Sequence, residues 1–534
     1  REAAAAPGKL VAVLPFEIIG SAEGVTETAS GVSEILSAGL ADFERIEGGI
    51  AAIPSSEIRR RNINTASEAL RIYGANLVVT GTAQPRGGRI QFSLQLIDPA
   101  STRQLAARVF EFDPANPAAR RQAVDELAAL LSFSPATARR AASGGQTAAP
   151  QAAVAYLKGR GLLARYDVAG NLDQAIAQLE HAVALDPNYT LAHAALGEAC
   201  WRKSRATGDA SLAARAIQHG ERAVALDPSL PTVHTSLAAI YTTSGREQDA
   251  IRELKEALRI APASAEAKRE LARVYVALGR FPEAETAYQE AIAARPTDWY
   301  GYLLLGLLYH QQLERYDDAA AAYRRAAELT PDNDLVHRNL GLVYYSQGRY
   351  AQAVAGLQRS LQLKSNATTY ASLGSAYYRQ RRYAEAVTAV ETALDLEPQR
   401  YYFWGNLGIY ARRTPGSEAK SAAAFAKAIE LAAGFLKVSP NEYDVRADLA
   451  EYYARTNRAP AALAEIDRIP ASARLARIHR IAIVYELTAN RKQAIAAIAG
   501  AVRNPATLRQ IQDDPDLAAL WADPALQAIL PAKP

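Results

Sequence analysis

A period of 34 residues runs through the chain and constrains it more than any other feature. A unit of that length is too short to enclose a core, so it buries its apolar face only by stacking on the next copy. Prolines carry the period. Pro187, Pro228, Pro262, Pro296 and Pro331 are spaced 41, 34, 34 and 35 residues apart, Ser365 stands where the next is due, and Pro398 and Pro440 follow. A small residue keeps step ten positions after most of them, at Ala238, Ala272, Gly306, Gly341, Gly408 and Ala450, with Gly374 nine after Ser365. Aromatic residues sit three further on, at Tyr241, Tyr275, Tyr309, Tyr344, Tyr377 and Tyr453. A second small residue comes twelve after the first, at Ala250, Ala284, Ala353, Ala386 and Ala462, with Ala319 displaced by one. Several independent markers share one interval.

The stretch from Leu271 to Pro296, LARVYVALGRFPEAETAYQEAIAARP, carries Leu, Tyr, Gly, Ala, Tyr, Ala and Pro in the order of the tetratricopeptide repeat. The chain resembles that family over residues 151–505, where the markers count about ten units. The first, second, eighth, ninth and tenth are degenerate or carry insertions of up to eight residues. The resemblance implies two antiparallel helices per unit, touching at the small residues, with the proline stopping the second helix. It also implies stacking into a right-handed superhelix. Within residues 506–534, IQDDPDLAALWADPALQAIL reads as a short amphipathic cap over the last repeat, followed by a tail.

The part before the repeats is built differently, since 25 of the 26 tyrosines lie beyond residue 150 and only Tyr73 precedes it. LVAVLPF reads as a buried strand, GVSEILSAGLADF as a helix, GGIAAIP as a strand, and TASEALRIYG as a helix capped by Thr65 with Glu68 three later. NLVVTGTAQPRGG, RIQFSLQLIDP and RQLAARVFEFD read as strands, with Gly87 and Gly88 turning a hairpin, and PAARRQAVDELAALL as a closing helix. In this order of elements residues 1–131 resemble the N-terminal domain of TolB and its relatives, including the curli-export and flagellar FlgO-like families. That resemblance implies a small bacterial α/β domain. In bacterial proteins such a domain followed by tetratricopeptide repeats often sits behind a kinase, cyclase or DNA-binding output domain, and this sequence contains none. Residues 132–150, SFSPATARRAASGGQTAAP, are rich in small residues without periodicity and read as a linker. The expected fold class is an α/β N-terminal domain followed by an all-α superhelical solenoid of tetratricopeptide repeats.

Charge argues against a nucleic-acid partner: 60 Lys+Arg face 56 Asp+Glu, and residues 1–131 are net −2 while the rest is net +6. The longest apolar stretch, around Leu303 to Tyr309, falls far short of the roughly 18 residues of a membrane-spanning helix, so no membrane insertion by this chain is expected. A single cysteine, Cys200, permits no intrachain disulfide and no Cys-His zinc cluster. The phosphate-binding GxxxxGK[ST], the dinucleotide GxGxxG after a strand, the zinc-binding HExxH and the kinase HRD and DFG motifs are all missing from the sequence. The seven histidines lie on repeat helices without metal-ligand spacing and read as packing or surface residues. Neither enzymatic activity nor a cofactor is expected.

Tyr241, Tyr275, Tyr288, Tyr309, Tyr323, Tyr344 and Tyr377 fall on consensus packing positions and read as core. Tyr300, Tyr345, Tyr378 and Tyr402 fall off the consensus, on the side of the first helix that lines the concave surface in this family. The same positions give Arg269, Arg273, Arg338, Asn339, Arg379, Asn406 and Arg412. Guanidinium and amide donors beside rigid aromatic rings suit an extended peptide, whose carbonyls and carboxylates accept hydrogen bonds. Arg338 and Arg379 are expected to face solvent there. Family members that clamp a C-terminal carboxylate carry an asparagine just after the small residue, where this chain has Leu342, Ser375 or Ile409, so that class of ligand is not expected.

Three functional readings follow. The leading one is a non-enzymatic scaffold that binds a protein or peptide partner along the repeats. A second is a self-assembling surface protein, in which repeat ends and the N-terminal segment REAAAAPGK make contacts that extend into filaments. The third is the extracytoplasmic sensory part of a signalling kinase or cyclase. The chain starts at Arg1 and contains no methionine, which suits a processed, exported protein in the periplasm or outside the cell and leaves the cytoplasm open.

Overall fold

The computed structural model describes residues 9–20, 24–47, 49–53, 55–60, 63–116, 118–141, 145, 147–501 and 505–530, and the N-terminal segment REAAAAPG lies outside them. The chain divides into two compact units, one of residues 1–308 with 328–331 and the other of residues 309–327 with 332–534. A small α/β region precedes a long run of helices.

The first unit begins with β1 (Lys9–Val13), β2 (Glu17–Ile18), α1 (Val25–Glu47), β3 (Ile50–Ala52), α2 (Ser55–Arg60) and α3 (Ala66–Tyr73). It continues with β4 (Leu77–Arg86), β5 (Arg89–Asp98), β6 (Arg103–Phe112), α4 (Ala119–Leu130), α5 (Pro135–Ala141) and α6 (Pro150–Ala164). The strands form one sheet in the order β3-β1-β4-β5-β6, with β2 also beside β4. β1 runs parallel to β3 and β4, while β4, β5 and β6 are antiparallel neighbours. Leu10 to Val13 are all buried, as a strand covered on both faces requires, whereas β5 alternates and buries Ile90, Phe92, Leu94 and Leu96. Helix α3 starts at a reciprocal cap, in which Thr65 accepts from the Glu68 amide at 3.2 Å and the Glu68 carboxylate accepts from the Thr65 amide at 3.1 Å.

The core of this region extends into the first repeat. Leu157 of α6 packs among Leu36, Leu40, Phe43 and Leu127. Helices α1 and α6 approach so closely that a Cβ on Gly31 would overlap the Leu157 carbonyl and one on Gly161 the Glu27 carbonyl. Arg160 spans the contact, reaching Glu34 at 3.1 Å and Glu198 at 2.9 Å. Residues 132–150, read from composition as a linker, contain α5 and the start of α6, and Ala138 and Ala141 are buried in the same core. Alanines that look featureless in sequence are small enough to pack there. Residues 142–144 and 146 of that stretch lie outside the described residues.

From α6 onward ten helix pairs follow among the described residues, the last, formed by Ile478–Leu487 and Arg491–Ala501, coming after a short helix at Ala471–Arg474 and a 3-10 turn at Leu475–Arg477. The second small marker sits in the core of each pair: Ala250, Ala284, Ala353, Ala386 and Ala462 are completely buried. Within most pairs the turn shares one design. The residue at its apex takes positive φ, and the next amide donates to the marker tyrosine's carbonyl, as Arg246 does to Tyr241 (3.0 Å) and Arg280 to Tyr275 (2.8 Å). Glycine supplies that backbone at Gly245, Gly279 and Gly348, but Arg381, Asn457 and Ala489 adopt it elsewhere. The arginine guanidinium then lies over the same tyrosine ring, at 4.1 Å for Arg246 and 4.5 Å for Arg280.

Between pairs a second device recurs. At four of the prolines the side chain six residues later reaches the proline's carbonyl, which lies just beyond the end of the helix. Trp404 Nε1 reaches the Pro398 carbonyl at 2.8 Å and Arg446 the Pro440 carbonyl at 2.6 Å, while His193 Nε2 and His234 Nε2 lie 3.1 and 3.0 Å from those of Pro187 and Pro228. Those two histidines are therefore parts of the turn between pairs. The Nδ1 of His193 lies 3.0 Å from the Nδ1 of His219, and burial, the neighbouring His193 and Arg215 push His219 down to about 4.

Two expectations follow. In the second unit a Cβ on Gly341 would meet the Leu357 side chain at 2.8 Å and the Ala353 carbonyl at 3.1 Å, so Gly341→Leu should cost about 1 to 3 kcal/mol by urea unfolding. An unchanged midpoint would refute the packing. The histidine pair stays neutral in the folded chain, while an unfolded His219 takes a proton near its ordinary 6.5. Stability should fall as pH drops from about 6.5 towards 4, and His219→Asn should flatten that slope in a melting series at pH 7, 6 and 5. Identical slopes would rule out the pair as its source.

Candidate functional site

In the second unit one row of first helices builds the candidate site. Asp334–Ser346, Ala367–Arg379, Tyr401–Arg412, Tyr443–Arg455 and Ile478–Leu487 each contribute to a cleft of about 230 Å³. Tyr345, Ser375, Tyr378, Arg379 and Asn406 line it, which brings together four of the residues singled out from sequence. Tyr378 stacks on Tyr410 with centroids 5.1 Å apart, and the Tyr410 hydroxyl lies 3.0 Å from the Ser375 hydroxyl.

The expectation that Arg379 faces solvent is overturned. Its side chain is only 8% exposed, with Nε donating to the Tyr345 hydroxyl at 3.2 Å and Nη1 lying 3.4 Å from Asp514. Asp514 comes from the C-terminal segment. Ile511, Leu517, Leu520 and Leu526 bury the apolar side of that segment beside Ile478, Ile483 and Ile498, while its acidic side turns back to the first helices. His479 Nε2 lies 2.9 Å from Asp514, Arg455 pairs with Asp516 and Glu451 at 2.7 Å each, and Arg413 also pairs with Asp516. The Tyr378 hydroxyl donates to Asp516 at 3.3 Å and that of Tyr350 to Asp513 at 2.7 Å. Burial pushes the Asp514 carboxyl up, but the His479 hydrogen bond and the charges of His479 and Arg379 hold it down at about 2. Burial raises Asp448 to about 6 even though Arg480 pairs with it and the Tyr401 hydroxyl donates to it at 3.0 Å.

The other singled-out residues scatter. Arg269 and Tyr300 line a separate cavity of about 180 Å³ in the first unit, between the sheet region and the repeats. Arg269 is buried, paired with Asp298, and its guanidinium lies 5.7 Å from the Tyr300 ring centroid. Nearby, Arg295 donates to the Ala52 carbonyl at 3.2 Å and to Glu44 at 2.5 Å, and Trp299 faces Tyr73 at 6.3 Å. Arg273 is exposed and paired with Glu270 at 2.9 Å. Asn339 is buried, Arg338 is half-buried, Tyr402 packs on Phe403 at 4.5 Å, and exposed Arg412 donates to the Arg455 carbonyl at 2.6 Å. Sequence reasoning missed Arg413, Arg455, His479 and Arg480, together with the acidic turn that receives them. The run DDPD at residues 513–516, in a segment read only for its apolar periodicity, was the available signal.

Among the described residues no group of His, Cys, Asp or Glu could hold a metal ion, and no helix is long and apolar enough to cross a membrane. Cys200 is buried, which raises its thiol pKa above the usual range.

Two family models described as tetratricopeptide repeat match the sequence, one over residues 160–231, 269–334, 308–368 and 372–434, the other over residues 229–297. Together they reach from residue 160 to 434, and the chain belongs to the tetratricopeptide-repeat family. No curated protein matches it. Among solved structures it is similar to MamA (27% identity, 31% of this chain and 94% of that one, TM-score 0.27). It is also similar to PilF of Pseudomonas aeruginosa (23%, 43% and 98%, 0.35) and to YrrB, a repeat protein described with an unusual peptide-binding site (18%, 35% and 96%, 0.30).

Arg379→Gln should therefore destabilise the chain by about 2 kcal/mol or more, because it leaves Asp514 buried with one cationic partner fewer. Arg273→Gln, on the surface, should stay within about 0.5 kcal/mol. Denaturant titration of both variants checks the contrast, and equal midpoints would contradict the burial of Arg379.

Proposed function

We propose that the chain is a non-enzymatic protein-interaction scaffold whose repeats hold a partner segment along the first helices of the second unit. The observation that carries this reading is the cleft itself. Five successive first helices present tyrosine, arginine, asparagine and serine to one channel, a lining of donors and rigid rings suited to an extended backbone. Membership of a repeat family built for such contacts supports it. We read the N-terminal α/β region as TolB-like, on the strength of its parallel strands followed by an antiparallel hairpin extension, and assign it the role of positioning the repeats.

Selection of a random peptide library against the full chain tests the scaffold reading. Selected peptides should bind with micromolar affinity and lose at least tenfold on Asn406→Ala, a substitution in the cleft wall that should leave the melting temperature unchanged. Peptides indifferent to Asn406, or no binders at all, would overturn it.

A further inference from the structure

A segment of the chain itself occupies one end of this cleft, and the way it is held defines a ligand chemistry. Asp514 and Asp516 stand two residues apart in a turn that organises its own backbone: the Asp516 amide donates to the Asp514 carboxylate at 2.8 Å and the Leu517 amide to the Asp514 carbonyl at 3.1 Å. The receptor side contacts the two carboxylates separately. Arg379 and His479 take Asp514, while Arg413, Arg455 and the Tyr378 hydroxyl take Asp516.

We propose that this cleft is a receptor for acidic peptide segments carrying two carboxylates two residues apart, and that the chain's own Asp513–Asp516 turn holds the place in cis until a partner's segment replaces it. This rests on the scaffold reading and names the partner chemistry. Charge complementarity is the main support. Two carboxylates draw contacts from three guanidinium groups and an imidazole supplied by three different helices and the end of a fourth, Arg379 from Ala367–Arg379, Arg455 from Tyr443–Arg455, His479 from Ile478–Leu487, and Arg413 just beyond Tyr401–Arg412. Such a convergence of charge-assisted donors recognises anionic side chains and rejects an amide or a cation. Room for more of a ligand lies alongside, where Ser375, Asn406 and Arg480 line the same cleft. A competitor tethered in the same chain acts at high effective concentration, so the unmodified protein binds such segments weakly and gains affinity once its own turn lets go.

Fluorescence anisotropy of a labelled peptide of residues 508–520, LRQIQDDPDLAAL, tests this on the full chain. The Asp514→Asn/Asp516→Asn double variant should bind the peptide at least tenfold more tightly than the wild type. The same peptide with asparagine at both positions should not bind, and adding Arg413→Gln should remove most of the gain. If the double variant melts below the assay temperature, Asp516→Asn alone, which leaves Asp514 on Arg379 and His479, is measured against the same expectations. A folded variant that binds both peptides equally, or neither, overturns the proposal. Library peptides that depend on Asn406 but lack paired acidic residues would overturn it as well, while leaving the scaffold reading in place.

Discussion

Everything the repeats present depends on two helices of a pair touching nearly backbone to backbone. In the second unit Gly341 and Gly356 face each other, so that a Cβ on Gly356 would come within 3.1 Å of the Gly341 main chain, and Gly408 seats the Phe425 ring. Any larger side chain there pushes the second helix away and, through it, the next pair. Because each pair is set by this contact, successive first helices bring the same positions into one row. That row makes residues from five helices, hundreds of ångströms of chain apart when unfolded, into one lining.

Arginine is the residue whose role divides most sharply. One set, at Arg246, Arg280, Arg315 and Arg382, closes the turn inside a pair, donating its amide to a tyrosine carbonyl, laying its guanidinium over that tyrosine and pairing with an acidic residue three positions on. Those cations are committed locally. A second set, at Arg379, Arg413 and Arg455, finds partners far away in sequence and shapes the cleft. Composition counts both alike, and the nearly balanced net charge conceals the concentration of cations at one place.

The periodic part of the fold was legible because its causes are local. Proline stops a helix, a small residue permits contact, and both recur at an interval that can be counted. Of the tyrosines on those markers, Tyr241, Tyr275, Tyr309 and Tyr377 are buried as their positions implied, whereas Tyr344, read as core, is only half-buried, as is Tyr453. Legibility ended where a residue's partner lay outside its own repeat. Arg269 occupies a first-helix position like Arg379, yet it faces the sheet region within the first unit, a neighbour no repeat pattern encodes. Arg379 was legible as a first-helix residue and illegible as a buried one, because the carboxylate that covers it is 135 positions further along the chain. The same blindness turned Ala138 and Ala141 into a linker, since small residues look alike whether they are packed or solvated.

The composition of the cleft also limits how it can work. Burying guanidinium and carboxylate groups is a poor route to stability, since an apolar lining of similar volume does as well or better, and removing one partner leaves a charge in a poorly solvated place. Arg379 and Arg455 are nearly fully buried, and so are Asp514 and Asp516. The acidic turn therefore cannot simply leave: Arg379 would lose Asp514, Arg455 would keep only Glu451, and water would have to fill the space. Departure becomes inexpensive only if another carboxylate pair arrives as the first withdraws, so that the cations stay neutralised throughout. A site of this kind favours exchange between similar acidic segments over opening and closing, and its selectivity comes from the penalty it imposes on every occupant that brings no negative charge.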